Sequence, residues 1–319
     1  MKKTLGILLV FAILFLFGSM GCGGDTPQDP VSGQEPNLPQ MENPDLGFPV
    51  TIVDSLGREI TIEKIPERII SLSPAITEIL FAIDAGEMIV GVTDYCHYPP
   101  EALEKPRVGG FSDPNLELII EAEPEVVFVA GGIQADMVKL FEDLGISVVA
   151  LDAQTLDEVL ANIELAGLVT GTIDSSIALV EKLEGRIQRV EDKISSASGK
   201  PRVFFEVWDD PLMTAGPGSF IHSLITIAGG ENVASDLSQD YAQFSLETLL
   251  ERDPEVYVIN DHAHTPTDVK NRPGYGELTA VQQDRVYAIE DDLVTLPGPR
   301  IVEGLEKMAE IIHPDLFSK

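Results

Sequence analysis

One segment of this chain occurs twice. Residues 115–129 read NLELIIEAEPEVVFV, and residues 245–259 read SLETLLERDPEVYVI. Aligned without gaps, they share Leu116/Leu246, Glu117/Glu247, Glu121/Glu251, Pro124/Pro254, Glu125/Glu255 and Val126/Val256. Each copy opens on Asn115 or Ser245, whose side chains can accept hydrogen bonds from the free N–H groups of a first helical turn. A short amphipathic helix follows, then a turn at a proline, which lacks a donor and ends the helix, then an apolar strand. The copies stand 130 residues apart, about one domain of chain, whereas stacked repeats recur every ~20–50 residues. The spacing predicts two comparable lobes, each with an acidic helix start.

Around each copy, strand patterns alternate with helix patterns. VTIVDSLGREITIEKIP reads as a hairpin about Ser55-Leu56-Gly57. RIISL, MIVGV, EVVFV and ISVVAL read as strands, with helices over SPAITEILFAIDAG, Ile133 to Leu144, and from Thr155 onward. After RVFFEVW comes a loop, DDPLMTAGPGS, and a helix ending at Gly229-Gly230. His262 to Tyr275 read as a polar loop, VYAIE as the last strand and Gly298 to Ile312 as the last helix. From Asp174 to Ser198, apolar residues at Ile177, Val180, Leu183, Ile187, Val190 and Ile194 predict one long amphipathic helix. It falls midway between the copies and so reads as a strut. The expected fold is therefore α/β: two lobes, each with a mostly parallel central sheet and flanking helices, joined by one long linker helix. The boundaries are residues 49–171, 172–199 and 200–319. Open α/β sheets bind ligands at the carboxyl ends of their strands. That rule points to loops 95–100, 130–133, 208–219 and 291–299, facing each other across a cleft.

The start of the chain reads as an address. Lys2 and Lys3 precede an uncharged apolar run from Leu5 to Phe17, short of the ~20 residues that span a bilayer but suited to a secretory signal over residues 1–21. Small residues lead to Cys22, and the stretch resembles a bacterial lipoprotein signal. That resemblance implies a lipidated Cys22 and an extracytoplasmic, membrane-anchored protein. Residues 22–48 are rich in Gly, Pro, Gln, Asn and Asp and read as a flexible tether. Cys96 is the one other cysteine, so an acylated Cys22 leaves no intrachain disulfide. The formal charge of −32 argues against nucleic acid and anionic headgroups as partners.

Six further strings, in order, are similar to the cobalamin-binding and iron-siderophore-binding proteins of bacterial ABC importers. They are SLSPAITEIL, GVTDYCHYPPEAL, RVGGFSDPNLELI, PLMTAGPGSFI, AGGENVASD and LPGPRIVEGL. The resemblance runs from about Thr51 to Phe317 and is closest to the cobalamin-binding branch. It implies two lobes bridged by a rigid helix, and Glu117 and Glu247 as the acids that dock on arginines of the membrane-spanning subunits. It also implies a ligand pocket walled by Tyr95, Phe111, Trp208 and the segment Asp292, Leu293, Val294, Thr295 and Leu296. In that last segment, aliphatic side chains stand where the family often has aromatic residues or Arg. The implied cargo is cobalamin, with a ferric siderophore or haem as the alternative, and no cofactor is expected.

Other chemistry has less behind it. Cys96 and His97 are chemically able to ligate a metal centre beside Tyr95, but read more simply as bystanders. His262 and His264 do not by themselves complete a tetrahedral zinc site. The chain has no Gly-x-Ser-x-Gly elbow and no Gly-x-x-x-x-Gly-Lys loop, so an enzyme is not expected. An anchored α/β enzyme is the rival class.

Overall fold

The computed structural model describes residues 47–318 except Ala263. Cys22, the expected signal and nearly all of the expected tether lie outside the described residues. The first lobe opens with antiparallel strands β1 (Val50–Val53) and β2 (Glu59–Ile62), with Val50 opposite Ile62. Buried Asp54 builds their turn. Its Oδ1 accepts from the Leu56 and Arg58 amides at 3.0 Å each, and its Oδ2 accepts from the Ala150 amide at 3.0 Å, which ties the hairpin to the sheet. Then come β3 (Ile69–Ser71), α1 (Pro74–Ala82), β4 (Ile89–Val92), α2 (Leu116–Glu121), β5 (Val126–Val129), α3 (Ala135–Asp143), β6 (Ser147–Ala150) and α4 (Leu156–Thr170). The sheet order is β4-β3-β5-β6, and every pairing is parallel.

The linker helix is α5 (Ile173–Ile194), 22 residues or about 33 Å long. Val180, Leu183 and Val190 are buried while Glu181, Glu184 and Glu191 face solvent, the separation the spacing predicts. Its start is tied to the first lobe by Ser175 Oγ donating to Asp84 Oδ2 at 2.7 Å. Further along, Arg186 makes a two-pronged pair with Glu306 of the second lobe at 2.9 and 2.6 Å.

The second lobe contains β7 (Arg202–Asp209), β8 (Leu212–Ala215), α6 (Phe220–Ile227), β9 (Glu231–Asn232), β10 (Tyr241–Gln243), α7 (Leu246–Arg252), β11 (Val256–Asn260), α8 (Pro266–Lys270), α9 (Thr279–Gln282), β12 (Val286–Ile289), α10 (Asp292–Thr295) and α11 (Ile301–Ile312). Its sheet runs β10-β8-β7-β11-β12, with β9 also on β7. Strands β7, β9, β11 and β12 pair parallel, while β8 pairs antiparallel with both of its neighbours, β7 and β10. Two segments read as loops thus carry regular structure. DDPLMTAGPGS holds β8, folded back on β7 through Asp210-Pro211, and 262–275 holds α8, started by a reciprocal Thr265–Asp268 cap. The first was hidden because a Pro/Gly-rich string becomes a strand only through partners distant in sequence.

The duplicated unit repeats in atomic detail. Asn115 accepts from the Glu117 and Leu118 amides at 3.0 and 3.2 Å, and Ser245 accepts from the Thr248 amide at 3.0 Å. Glu123 and Asp253, just before the two prolines, take φ of 44° and 40°. Arg68 and Arg202, each entering a central strand, donate to the carbonyls that end α2 and α7. Glu125 and Glu255 accept backbone N–H groups from the same entry segments, Glu67 at 2.5 Å and Arg202 at 3.0 Å. The shared acid after the proline is therefore a latch between neighbouring strand starts.

One face of each sheet belongs to a single apolar cluster that runs through both lobes. Val126 and Phe128 of the first join Val256 and Val258 of the second through residues of α4, α5, α6 and α11. Each opposite face has its own cluster, containing Ile70, Leu72, Val127 and Val129 in the first lobe and Phe204, Tyr257 and Ile259 in the second.

Candidate functional site

Where the strand ends of the two lobes meet, an open cavity of ≈ 770 Å³ falls within the size of small-molecule sites. The first lobe supplies Ser73 and Pro74 after β3, Tyr95 after β4, Ala130 to Gly132 after β5 and Asp152 to Gln154 after β6. The second lobe supplies Gly218 to Phe220, Asp240, Tyr241 and Thr295 to Pro297. All four loops predicted from strand ends contribute.

Gln134 holds the first-lobe wall together. Fully buried, it donates from Nε2 to the carbonyls of Leu72 and Phe111, both at 2.7 Å, and accepts the Ala130 amide on Oε1 at 2.7 Å. One side chain thus ties the exits of β3 and β5 to the Phe111 loop. Asp113, Asp152 and Asp240 line the cavity, and each is packed against a glycine. A Cβ at Gly110, Gly131 or Gly218 would overlap the carboxyl group of Asp113, Asp152 or Asp240 respectively. Among the described residues, no Lys, Arg or His lines the cavity. Partial burial first, then the charges of Asp291 and Asp240, holds the Tyr241 phenol above its ordinary range.

Of the predicted wall residues, Tyr95, Phe111, Thr295 and Leu296 line the cavity. Leu293 and Val294, expected in the wall, are buried at 1% and 0% exposure. The segment coils into α10, which turns these side chains into the core. There α10 packs so closely on α11 that a Cβ at Gly304 would overlap the Leu293 carbonyl. Asp292 points toward Arg300, 3.5 Å away, rather than into the cavity. Trp208, expected to face the ligand, is half exposed near the end of β7 and outside the lining. Its indole N–H donates to the Asp210 carbonyl at 3.0 Å.

Cys96 is fully buried, with its sulfur 3.2 Å from both Thr77 Oγ1 and Thr93 Oγ1, so the thiol faces the core and not a ligand. His262 and His264 each meet one carboxylate, Asp291 at 3.0 Å and Asp209 at 2.8 Å. Among the described residues, no group of three or more His, Cys, Asp or Glu could hold a metal ion. Ser73, Asp152 and Asp240, with Asp113 and Tyr241, were not singled out from the sequence. The first two were within reach of the same strand-end rule, since they follow β3 and β6. Asp240 precedes an antiparallel edge strand that only the folded sheet defines.

Glu117 and Glu247 both occupy the first turn of their helices and are exposed. Among the described residues, neither takes part in an ion pair.

Two α/β lobes, a bridging helix and a cleft lined by strand-end loops have the architecture of two-lobed solute-binding proteins. The periplasmic binding protein family matches residues 69–293, and the chain belongs to it. It is 33% identical to an uncharacterized ABC transporter substrate-binding lipoprotein, YvrC, of Bacillus subtilis, over 100% of both chains. It is 31% identical to a vitamin B12-binding protein of Vibrio cholerae, over 76% of this chain and 87% of that one. The crystal structure of periplasmic vitamin B12-binding protein BtuF of Vibrio cholerae superposes with a TM-score of 0.69 at 28% identity, covering 80% of this chain and 99% of that one. The periplasmic heme-binding protein RhuT of Roseiflexus sp. RS-1 superposes at 0.70 with 25% identity, over 78% and 99%.

Proposed function

We propose that this chain is the lipid-anchored solute-binding protein of an ABC importer, that it takes up cobalamin or a related corrinoid between its lobes, and that it docks on the membrane-spanning subunits through Glu117 and Glu247. The observation that carries the cargo is the charge of the cavity. Among the described residues, its wall holds three aspartates and no cationic side chain. The carboxylates of haem and the charge of most ferric siderophores would meet like charge there. A corrinoid presents amide N–H donors and a flat macrocycle, which suit carboxylate acceptors and the aromatic rings of Tyr95, Phe111 and Tyr241. The relatives named for vitamin B12 support this reading, and the one named for heme marks the alternative. The relative named as a lipoprotein supports acylation of Cys22. Titration of the full chain with cyanocobalamin, haemin and a ferric siderophore tests the cargo. Cyanocobalamin should bind at least tenfold tighter than either of the others, and tighter haemin binding would overturn the assignment.

Docking rests on two exposed carboxylates at equivalent places in two otherwise different lobes. The double change Glu117→Ala plus Glu247→Ala should abolish corrinoid uptake in cells while leaving ligand affinity within twofold of wild type. Undiminished uptake would remove the docking role.

A further inference from the structure

We infer that Arg300, Glu78 and Tyr98 form a clasp between the lobes that positions the cavity wall before ligand arrives. The inference rests on the interlobe cavity being the ligand site. Arg300 immediately precedes α11 in the second lobe, and Glu78 lies on α1 in the first. Their side chains are 15% and 3% exposed. Arg300 Nε and Nη2 both donate to Glu78 Oε1, at 3.0 and 2.8 Å. Its Nη1 donates to Glu290 Oε1 at 3.0 Å, and its guanidinium carbon lies 4.1 Å from the ring centre of Tyr98, a first-lobe residue. The fork thus joins two acids and an aromatic ring from opposite sides of the cleft, a geometry that a lysine ammonium does not reproduce.

The position of each member ties the clasp to the cavity. Glu78 is one helical turn beyond Pro74, Tyr98 is three residues beyond Tyr95, and Arg300 is three beyond Pro297. Pro74, Tyr95 and Pro297 all line the cavity, and no clasp residue does. Behind the wall, the turn at Gly298 is pressed onto α1. A Cβ there would stand 3.2 Å from Glu78 Oε2 and 3.3 Å from the Ala75 carbonyl. That Oε2 is buried with no hydrogen-bond partner, which shows how completely Arg300 and the turn close over the carboxyl group. Although it belongs to the second lobe by chain order, the Thr295–Pro297 wall is therefore anchored on the first. Arg300 and Glu78 are positioning residues, and they act through the wall they hold.

Full chains carrying Arg300→Lys, Arg300→Met and Glu78→Gln test this, with Arg300→Lys and Glu78→Gln as the variants that keep volume and fold. Two readouts are taken: affinity for cyanocobalamin by calorimetry on folded protein, and hydrogen exchange of the unliganded backbone. We expect at least tenfold weaker binding. We also expect faster exchange confined to residues 295–301, with the amides of β5 and β11 unchanged. A merely structural role would lower the melting temperature and leave the affinity of the folded protein within twofold, and that result overturns the clasp. If wild type binds no cyanocobalamin, the cargo assignment fails separately. The exchange readout then decides: acceleration at 295–301 supports the clasp, and wild-type exchange there overturns it.

Discussion

The two lobes build one repeated frame around different interiors. In register, Ile69 faces Val126 in the first sheet and Val203 faces Val256 in the second. Counting along both strands from those pairs, Leu72 and Val127 of the first lobe correspond to Glu206 and Tyr257 of the second. Leu72 and Val127 are fully buried in an apolar cluster. Glu206, 3% exposed, instead accepts the Tyr257 hydroxyl and both prongs of Arg272, at 2.5 and 2.9 Å. Burial, then the neighbouring Glu206 charge, pushes the Tyr257 phenol well above its ordinary range, which keeps it protonated as the donor. Arg272 follows α8, so the network pins the 262–277 excursion to the sheet. The first lobe has no comparable excursion after β5 and fills the same positions with aliphatic groups. What recurs is the backbone solution at the helix and strand ends, while each interior is set by what must be held over it.

The largest test removes that difference in two stages. Arg272→Met leaves Glu206 buried without its cation and should cost ~3–5 kcal/mol of stability in urea denaturation. Adding Glu206→Leu together with Tyr257→Phe, whose hydroxyl would otherwise lose its acceptor, makes the site resemble the first lobe and should recover most of that loss, because apolar groups of similar volume carry no desolvation cost. A triple variant as unstable as Arg272→Met alone would break the comparison.

A smaller effect measures the shared frame. Asn115→Ala and Ser245→Ala each remove the side-chain acceptor of a first helical turn and should cost about 1 kcal/mol. Asn115 should be the costlier, since it accepts two amides where Ser245 accepts one. Equal unfolding midpoints for the two variants would mean the second bond contributes nothing.

The smallest concerns the seam between α4 and the linker helix. Burial, followed by the charge of Glu184, holds the Glu164 carboxyl above its usual value of 4.5. A raised folded value contributes stability that is fully present below the unfolded value and is lost as pH rises through the folded one. Glu164→Gln should therefore raise the melting temperature slightly at about pH 7 and leave it unchanged at about pH 4. A gain that persists in acid would trace to packing and not to charge.

Much of the frame was legible because its causes are local. The caps at Asn115 and Ser245, the prolines that end α2 and α7, and the apolar stripe of α5 act within one or two turns of their own chain. The site was only half legible. Tyr95, Phe111, Thr295 and Leu296 could be placed by resemblance and by the strand-end rule. Whether Leu293 and Val294 face a ligand or the core depended on where α11 lies, and Cys96 was enclosed by Thr77 of α1 as well as by Thr93 three residues before it.

By itself, then, the sequence determined two α/β lobes, the strut between them and the acidic helix starts, since periodicity, capping and chain stiffness all operate over a few residues. Only the tertiary structure decided the second lobe's antiparallel edge, the charge lining the cavity and the meeting of Arg300 with Glu78, which lie 222 residues apart. Contacts of that kind leave no local trace, because their geometry comes from packing whole elements into one core.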